Sequence, residues 1–389
     1  MLAHEWVAYT REPDYSLNVA LPLSSVQVVK RHIGVGTAVV KVPFSPERLN
    51  GLQPPCGMTL FRDGVQEFSG MVVALNPVFD PESGRDVITV NLVGDEQHLD
   101  DRIVFPDRFR AADDQTTLDY WTFTGVASTA MQALVSQQAG PDCYQDRQVP
   151  GLALGADPGV GVSRDWSALF DNVMDQLRLM SVASGANLGI RMSTSPGTLL
   201  VDVVAPRDLS SSVVFSTDLS NLAGVDYRIS APTLTHALAA GQGDLHLRLR
   251  KLAVTTDPLT LQWKRQIWSY IDRRDTADVS ELLQACLDAL ADGGPTVSLA
   301  VTLLDSDSAT YRRDWDLGDK VTVYVGQSGQ SKVPVTDLVR EIAIDVDENG
   351  RERIRPAIGS FDAKAVIPTP TQQKLADVGT ALASLIARK

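Results

Sequence analysis

Short runs of alternating hydrophobic and polar residues, separated by turn residues, fill the N-terminal part of the chain. A period of two is typical of strands with one buried face. The pattern predicts these strands: Val7–Thr10, Ser24–Lys30, Ala38–Val42, Met58–Arg62, Glu67–Asn76 and Asp86–Leu92. Asp63-Gly64 and Ser83-Gly84 supply the positive φ that hairpin turns need. Strands at this spacing indicate a small barrel or sandwich.

The periodicity becomes helical in the middle of the chain. Val126–Ala139 has an apolar face and is followed by Gly140-Pro141, which predicts a helix that ends there. A stronger helical pattern has apolar residues at spacings of three and four: Trp166, Leu169, Phe170, Val173, Met174, Leu177 and Met180. Ser163 or Asp165 is its predicted N-cap, and Gly185 the residue after its end. We expect a strand pair, Leu188–Met192 and Leu199–Val204, to cover this helix.

Two β-like runs, Thr233–Ala240 and Leu245–Leu252, flank the turn Gly241-Gln242-Gly243-Asp244. In the second run leucines alternate with histidine and arginine, so we predict a hairpin with one apolar and one charged face. Gly241 and Gly243 are the predicted turn residues. His236 and His246 could face each other across this hairpin, and a polar pair is favoured over a metal site because no third ligand is evident.

A second β-rich region follows this hairpin. Strands Leu261–Tyr270 and Ser298–Leu304 flank a predicted helix at 276–292, capped by Asp275 or Asp278 and ended by Gly293. In Trp315-Asp316-Leu317-Gly318-Asp319, Gly318 is predicted to turn the chain and Asp319 to cap the turn. Val333–Val346 and Glu352–Ile358 complete the region.

The last residues carry a separate helical pattern. Pro368 and Pro370 stiffen a linker and disfavour helix before them. The apolar residues beyond it lie at spacings of three, four and three: Leu375, Val378, Leu382 and Leu385. A seam this short fits a lone helix that docks on its own domain as well as a three-stranded coil.

Composition and charge exclude several classes of protein. The 389 residues are 44% hydrophobic, and 35 Lys and Arg against 48 Asp and Glu give 35 − 48 = −13. Such a chain does not coat nucleic acid or anionic lipid, although DNA could slide along it without sticking. Cys56, Cys143 and Cys286 have no metal-site spacing and predict reduced thiols in a reducing cytoplasm. We find neither a signal peptide nor a membrane-length apolar run.

Sequence motifs for catalysis, cofactors and metals are not evident. Asp345 to Gly350 begins like a calcium loop, but Pro356 takes the place of the final carboxylate, so an Asn349-Gly350 hairpin turn is favoured. The nucleophile-elbow, zinc-protease and phosphate-loop motifs do not occur. Aromatic residues suited to stacking on sugars are more typical of a core at these positions: Trp121, Trp263, Trp268, Tyr270 and Trp315. We expect no enzyme, no cofactor and no metal.

Several patches of this sequence resemble one family. They are Leu60 to Gly70, Gly94-Asp95 with Leu99 to Pro106, Pro150 to Gly161 with Gly189-Ile190-Arg191, Ser230 to Thr233 with Gly241 to Gly243, and Trp315 to Val323. In order and spacing they are similar to tail hub proteins (baseplate hub, Gp37-like minor tail) of long-tailed phages that infect actinobacteria.

That resemblance implies an α+β, mostly β fold. It consists of a first hub β-barrel at 1–106, an α/β insertion at 107–205, a second hub β-barrel at 206–365, and a linker with a C-terminal helix at 366–389. It implies a homotrimeric, pseudo-sixfold ring at the virion tail tip, assembled in the host cytoplasm. Its partners would be the distal tail or tail tube protein, a tail-tip fibre or spike, and the tape measure protein, with DNA passing through the ring unbound.

The sequence is also compatible with three other classes of protein. A cell-wall hydrolase would need a paired acid and nucleophile in a cleft. A glycan-binding adhesin would depend on Trp315 or Trp121, and the hub of a contractile injection system would share the same fold.

Overall fold

The computed structural model describes residues 4–54, 56–79, 86–256, 258–262, 264–274, 276–294, 296–303, 309–326 and 332–359. Strands outnumber helices across these residues, and the strands belong to one large and three small sheets. The predicted α+β, mostly β class is therefore confirmed.

The strands of the described residues are numbered in chain order. They are β1 Trp6–Arg11, β2 Leu17–Leu21, β3 Ser25–Arg31, β4 Thr37–Pro43, β5 Gly57–Arg62, β6 Val65–Val78, β7 Val87–Gly94, β8 Trp121–Val126, β9 Leu152–Leu154, β10 Ser163–Ala168, β11 Gly189–Ser195, β12 Thr198–Val204, β13 Val214–Phe215, β14 Leu222–Ser230, β15 His236–Ala240, β16 Arg250–Val254, β17 Trp268–Asp272, β18 Thr296–Leu303, β19 Lys320–Val325, β20 Val333–Val346 and β21 Glu352–Gly359.

The α-helices of the described residues are numbered in the same way. They are α1 Pro46–Gly51, α2 Gln97–Asp100, α3 Ala127–Gln138, α4 Val173–Ala183, α5 Pro258–Gln262 and α6 Val279–Asp292. Short 3-10 turns cover Gln145–Arg147, Thr217–Leu219 and Leu245–Leu247.

A 13-stranded sheet joins the beginning of the chain to residue 359. Its main order is β14-β18-β21-β20-β3-β4-β7-β6-β5-β1-β2, and β19 and β13 branch from β20. The pair β3–β20 runs antiparallel from Arg31↔Glu341 to Val26↔Val346. The two regions predicted as separate hub barrels therefore share one hydrogen-bonded ladder. Among the described strands the sheet stays open, because β14 and β2 at its ends do not pair, and closed barrels are not observed.

One hydrophobic core lies against this sheet and takes residues from both regions. In β4 and β7 every second residue is buried, which is the period-two pattern of the sequence. Val28, Val40 and Val90 of the first region pack in the same cluster as Trp315 and Ile342 of the second. A shared core makes the two regions one structural body.

A separate core holds an α/β unit between the two regions. Its helices α3 and α4 pack on two small sheets, β10-β8 and β11-β12-β9. The expected strand pair is confirmed as β11 and β12, and the helix expected at Val126–Ala139 is confirmed as α3.

The expected start of the main amphipathic helix is wrong. Ser163–Ala168 forms β10, which pairs with β8 from Ser163↔Val126 to Ala168↔Trp121. Helix α4 begins later, at Val173, where the Asn172 side chain accepts a hydrogen bond from the Asp175 backbone N–H. Trp166 is buried from this strand rather than from a helix. Gly185 follows the helix with φ +67°, as expected of a helix end.

A third, smaller unit projects between β14 and β18. Its sheet has β15 in the centre, antiparallel to β16 and parallel to β17. Leu282, Cys286 and Leu290 of α6 pack on one face of this sheet, against Ala237 and Ala239. The helix predicted at 276–292 is therefore confirmed as α6, with Asp278 as its N-cap.

The central hairpin forms, but its second arm differs from the expectation. Residues Leu245–Leu247 make a 3-10 turn in which Leu245 is 83% and Leu247 73% exposed, so they form no apolar strand face. Pairing with the first arm starts only near Leu249, whose N–H donates to Gln242 O at 3.0 Å. The strand expected at Leu261–Tyr270 is also shorter, because α5 begins at Pro258 and β17 only at Trp268.

Several other expectations are confirmed in the large sheet. Asp63 and Gly64 turn the chain between β5 and β6 with φ of +50° and +75°. Residues 347–351 turn it between β20 and β21, where Asp347 Oδ1 accepts from the Asn349 and Arg351 N–H groups. The turn at Ser83-Gly84 lies outside the described residues.

Candidate functional site

The two β-rich regions are joined by buried charges as well as by strands. Glu67 on β6 has a side chain that is only 1% exposed. Lys30 Nζ on β3 lies 2.7 Å from Glu67 Oε1, and Arg312 Nη2 lies 3.0 Å from Oε2. The Tyr311 hydroxyl also donates to Oε1. Burial opposes the charged form, but the two cations outweigh it and hold the pKa of the Glu67 carboxyl below its usual value.

A second carboxylate makes the reciprocal link. Glu352 on β21 accepts from Arg62 Nε at 2.9 Å and from Arg62 Nη2 at 2.6 Å. Trp6 Nε1 donates to the same carboxylate at 2.9 Å. A carboxylate of each region is thus bound by a cation of the other. Paired and hydrogen-bonded charges of this kind fix one relative arrangement of the regions, because removing one partner would leave the other buried without compensation.

His32, directly after β3, connects the large sheet to two further segments. It is 4% exposed, and its Nε2 lies 2.8 Å from Asn187 O at the edge of the α/β unit. Its ring also lies where a Cβ at Gly189 or at Gly318 would have to be. Burial lowers the pKa of the His32 imidazole, so the ring is neutral at physiological pH.

The turn predicted at Gly318 and Asp319 is part of this junction. Gly318 has φ +90°, and Asp319 accepts a 2.7 Å hydrogen bond from the Asp316 N–H. Arg207 binds the Asp319 carboxylate through Nε at 2.8 Å and Nη2 at 2.6 Å. Trp315 at the start of the turn is fully buried, and its Nε1 donates to Ala309 O at 3.1 Å. The turn therefore holds a core anchor at one end and a bidentate ion pair at the other.

The other two predicted turn residues belong to the third unit. Gly243 has φ +109°. A Cβ at Gly241 would lie 2.6 Å from Thr276 O, so the backbone passes too close there for a side chain. They lie in the hairpin, apart from the junction of His32 and Gly318.

A cavity of about 290 Å³ separates the large sheet from β11 at this junction. Charged residues line it, including Lys30, Glu67, Glu96, Arg191 and Arg312. Burial raises the pKa of the Glu96 carboxyl to about 7, and Asp95 adds to the shift. Each of the four other residues has an ion-pair partner, so the lining favours no single class of ligand.

The main path of the large sheet ends in two strands with one neighbour each among the described residues. β2 pairs with β1, and β14 pairs with β18. The first residues of β2 are exposed, with Leu17 at 44% and Val19 at 55%. An edge strand presents unpaired N–H and C=O groups, which makes it a template for strand pairing with another chain.

The described residues contain neither a metal-binding cluster nor a membrane-spanning helix. In the part of the chain that the structure describes, no group of three or more His, Cys, Asp and Glu residues is placed to hold a metal ion. Cys56, Cys143 and Cys286 are free thiols. The described helices include none with the length and apolar character needed to cross a membrane.

The aromatic and histidine candidates divide into buried and exposed ones. Trp315 and Trp121 are 0% and 2% exposed. Neither indole is therefore accessible to a glycan, as an adhesin role through these residues would require. Trp268 and Tyr270 are 55% and 54% exposed. The interpretation that His236 faces His246 is wrong, because His236 stacks on Trp268 with ring centroids 4.4 Å apart, and its strand partner is Val254. Trp263 and the helix residues Leu375, Val378, Leu382 and Leu385 lie outside the described residues.

Sequence reasoning did not single out the junction residues Lys30, His32 and Glu67. Glu67 and Tyr311 lie 244 positions apart in the chain. A weak signal existed for Glu67, since it opens a run predicted as a strand and a carboxylate on a buried strand face needs a partner.

Comparison with known proteins decides the family. The model of the family described as "Siphovirus ReqiPepy6 Gp37-like protein" matches residues 11–360. This chain belongs to that family. The resemblance to Gp37-like tail proteins is therefore confirmed, whereas an actinobacterial host stays a prediction. Among curated proteins, no sequence matches this Gp37-like chain.

Solved structures share the fold of this Gp37-like protein at low sequence identity. A tail protein from Neisseria meningitidis MC58 is 13% identical with a TM-score of 0.55, covering 91% of this chain and 96% of that one. The 43 kDa tail protein of prophage MuSo2 from Shewanella oneidensis is 11% identical with a TM-score of 0.54, covering 91% and 98%. Prophage tail protein gp18 from Listeria monocytogenes EGD-e is 9% identical with a TM-score of 0.52, covering 92% and 95%.

Proposed function

We propose that this Gp37-like protein is a structural hub of the phage tail tip. Three copies form a pseudo-sixfold ring that joins a sixfold tail tube or distal tail ring to a threefold fibre or spike. The ring leaves a channel for DNA, and the tape measure protein ends at it. The chain is a scaffold in this role and catalyses no reaction.

The observation that carries the proposal is the open 13-stranded sheet. Each chain contributes two β-rich regions, held in one arrangement by the β3–β20 ladder and by the ion pairs of Glu67 and Glu352. Its end strands β2 and β14 have one described neighbour each. Pairing an edge of one copy with the opposite edge of the next is a heterologous contact, which closes into a ring when the rotation fits. Three copies with two regions each then present six similar modules.

The organisation expected from the sequence gives each part a role in this assembly. Residues 1–106 and 206–365 would build the ring, and 107–205 would decorate its rim. A hydrogen bond from Ile190 N to His32 O, 2.9 Å long, links 107–205 to the end of β3. In the proposed ring, the rim would therefore move with the large sheet.

Electrostatics supports passage of DNA without retention. The formal net charge of −13 repels the phosphate backbone. Because DNA affinity depends on phosphate neutralisation by Lys and Arg, a chain with excess carboxylates leaves a strand free to slide.

The test places a charge on the free edge. Val19→Lys on β2 is compared with Val39→Lys on β4, which is partly exposed and has a strand partner on each side, Gln27 and Asn91. We expect trimers by light scattering for the wild type and for Val39→Lys, and monomers for Val19→Lys. A wild type that stays monomeric at high concentration, together with virions that show no ring of this protein, would contradict the proposal.

A further inference from the structure

The third unit has a sheet face that no helix covers within the described residues. Helix α6 packs on one face of β16-β15-β17, and the opposite face, here called the outer face, carries alternate residues of each strand. Strand register arranges them in rows, Trp268–His236–Val254 and Tyr270–Leu238–Leu252. These rows are apolar apart from the imidazole and the phenol hydroxyl.

The outer face exposes a contiguous group of large apolar side chains. Trp268, Tyr270, Leu252 and Val254 are 55%, 54%, 47% and 44% exposed, and they are neighbours on one surface. Scattered apolar residues are normal on a protein surface, but a contiguous patch marks an interaction site. A hydrogen bond from Arg248 Nη1 to the Tyr270 hydroxyl, 2.7 Å long, holds that ring in place at the border of the patch.

The described chain ends beside the root of this unit. Gly359, the last described residue, pairs with Ser298 on β18. On the same strand, two residues before Ser298, Thr296 pairs with Ser230 of β14, and the third unit leaves the large sheet at this pair. At the root, Thr233 N and Leu234 N donate to Gly293 O at 2.9 and 3.0 Å. The chain that continues from Gly359 therefore starts close to the base of the sheet that carries the outer face.

The sequence beyond Gly359 has the length and pattern to reach and cover this face. Residues 360–370, at up to about 3.3 Å each, span at most roughly 36 Å. A helix of about 15 residues is roughly 22 Å long, and strands of five residues about 4.8 Å apart make a face roughly 17 Å long and 10 Å wide between the outer strands. Leu375, Val378, Leu382 and Leu385 form one apolar stripe on such a helix.

We propose that Thr371–Lys389 docks as an amphipathic helix on the outer face of its own chain, with that stripe against Trp268, Tyr270, Leu252 and Val254. A tethered segment meets its site at a high effective concentration, which favours the same chain over a separate partner. The outer face lies on a different sheet from β2 and β14, so this docking is independent of ring formation.

Hydrogen exchange on the full-length protein tests the docking from both sides. Leu382→Asp changes the stripe, and Leu252→Asp changes the outer face. The matched controls are Thr380→Asp, in the same segment but off the stripe, and Leu219→Asp, which is 53% exposed in a distant 3-10 turn. We expect amide protection in residues 371–389 to fall at least tenfold in both test variants and to stay within twofold in both controls. The double variant Leu382→Asp/Leu252→Asp should lose no more amide protection in residues 371–389 than either single variant.

Light scattering on the same samples separates this docking from a three-stranded coil. The oligomeric state of Leu252→Asp should equal that of the wild type. If Leu382→Asp dissociates the oligomer while Leu252→Asp leaves residues 371–389 protected, the segment is a coil and the proposal is wrong. Residues 371–389 that exchange without protection in the wild type would overturn it as well.

Discussion

The imidazole of His32 occupies the space that a side chain at Gly318 would need. A Cβ built on Gly318 would lie 2.5 Å from His32 Nδ1, and the glycine has φ +90°. Gly318→Ala therefore combines a steric clash with left-handed backbone strain and should lower the unfolding free energy by roughly 2–4 kcal/mol. Gly350→Ala is the matched control, because Gly350 has φ +71° with nothing within 4 Å, and should cost about 1 kcal/mol. Chemical denaturation of the two variants measures the difference, and equal losses would show that contact with His32 adds nothing.

His32 should also make stability depend on pH. Burial lowers the pKa of its imidazole below 6.5, so below that pH the unfolded chain binds a proton that the folded chain does not. Stability is fully present above pH 6.5 and is lost as the pH falls toward the folded pKa. Unfolding free energies of the wild type and His32→Gln, measured between pH 7 and 5, should show a steeper acid loss in the wild type. His98, whose pKa burial also lowers, is present in both proteins and cancels in the comparison. If the unfolding free energies of the two proteins fell equally with pH, His32 would not be the source of the acid loss.

Glu67 should matter more than a surface carboxylate. Glu67→Gln leaves Lys30 without its ion-pair partner and leaves Arg312 with only Asp316, 3.4 Å away. Removing one partner of a buried pair costs about 3–5 kcal/mol. Asp175→Asn breaks the pair with Arg178, in which the aspartate side chain is 63% exposed, and should cost less than about 1 kcal/mol. Differential scanning calorimetry compares the two. A loss for Glu67→Gln no larger than the Asp175→Asn loss would mean that the junction is not held by this charge.

Local pattern predicted those elements whose partners are close in sequence. The β5–β6 hairpin follows from Asp63-Gly64. The β11–β12 pair follows from two β-like runs close in sequence, and only Pro196 and Gly197 separate the two strands. Helix α6 combines an Asp278 cap with an apolar face at helical spacing. In each case the residues that determine the geometry lie within one element or in one tight turn.

The error at Ser163–Ala168 shows where local pattern fails. Trp166, Leu169 and Phe170 fit a helical spacing by position alone, but Trp166 is buried from a strand whose partner, β8, lies about forty residues away. Phe170 has φ +54°, a left-handed conformation that separates β10 from α4. Pairing with a distant strand overrides the local spacing, which carries no information about that partner.

The junction was unpredictable for a related reason. The His32 ring packs against two glycines, Gly189 and Gly318, and leaves no space for a Cβ at either one. The three residues are far apart in sequence. Each glycine looks like an ordinary turn residue until the fold places the imidazole between them. Gly318 and Asp319 were singled out from a family motif, whereas His32 has no motif of its own.

Glu96 at the cavity between the sheet and β11 gives the opposite pH dependence to His32. Burial raises the pKa of its carboxyl from 4.5 to about 7, so the folded chain keeps a proton that the unfolded chain has lost. The charged form therefore costs stability, a penalty that is absent below pH 4.5 and complete above pH 7. Glu96→Gln removes the ionisable group and should raise the unfolding free energy by about 1–3 kcal/mol at pH 8, with little change at pH 4.5.

Glu47→Gln, at an exposed position in α1, is the control and should change stability by less than about 0.5 kcal/mol at either pH. Denaturation curves at the two pH values decide the matter, and a Glu96→Gln variant that is less stable than the wild type at pH 8 would show that the carboxylate is needed in its charged form.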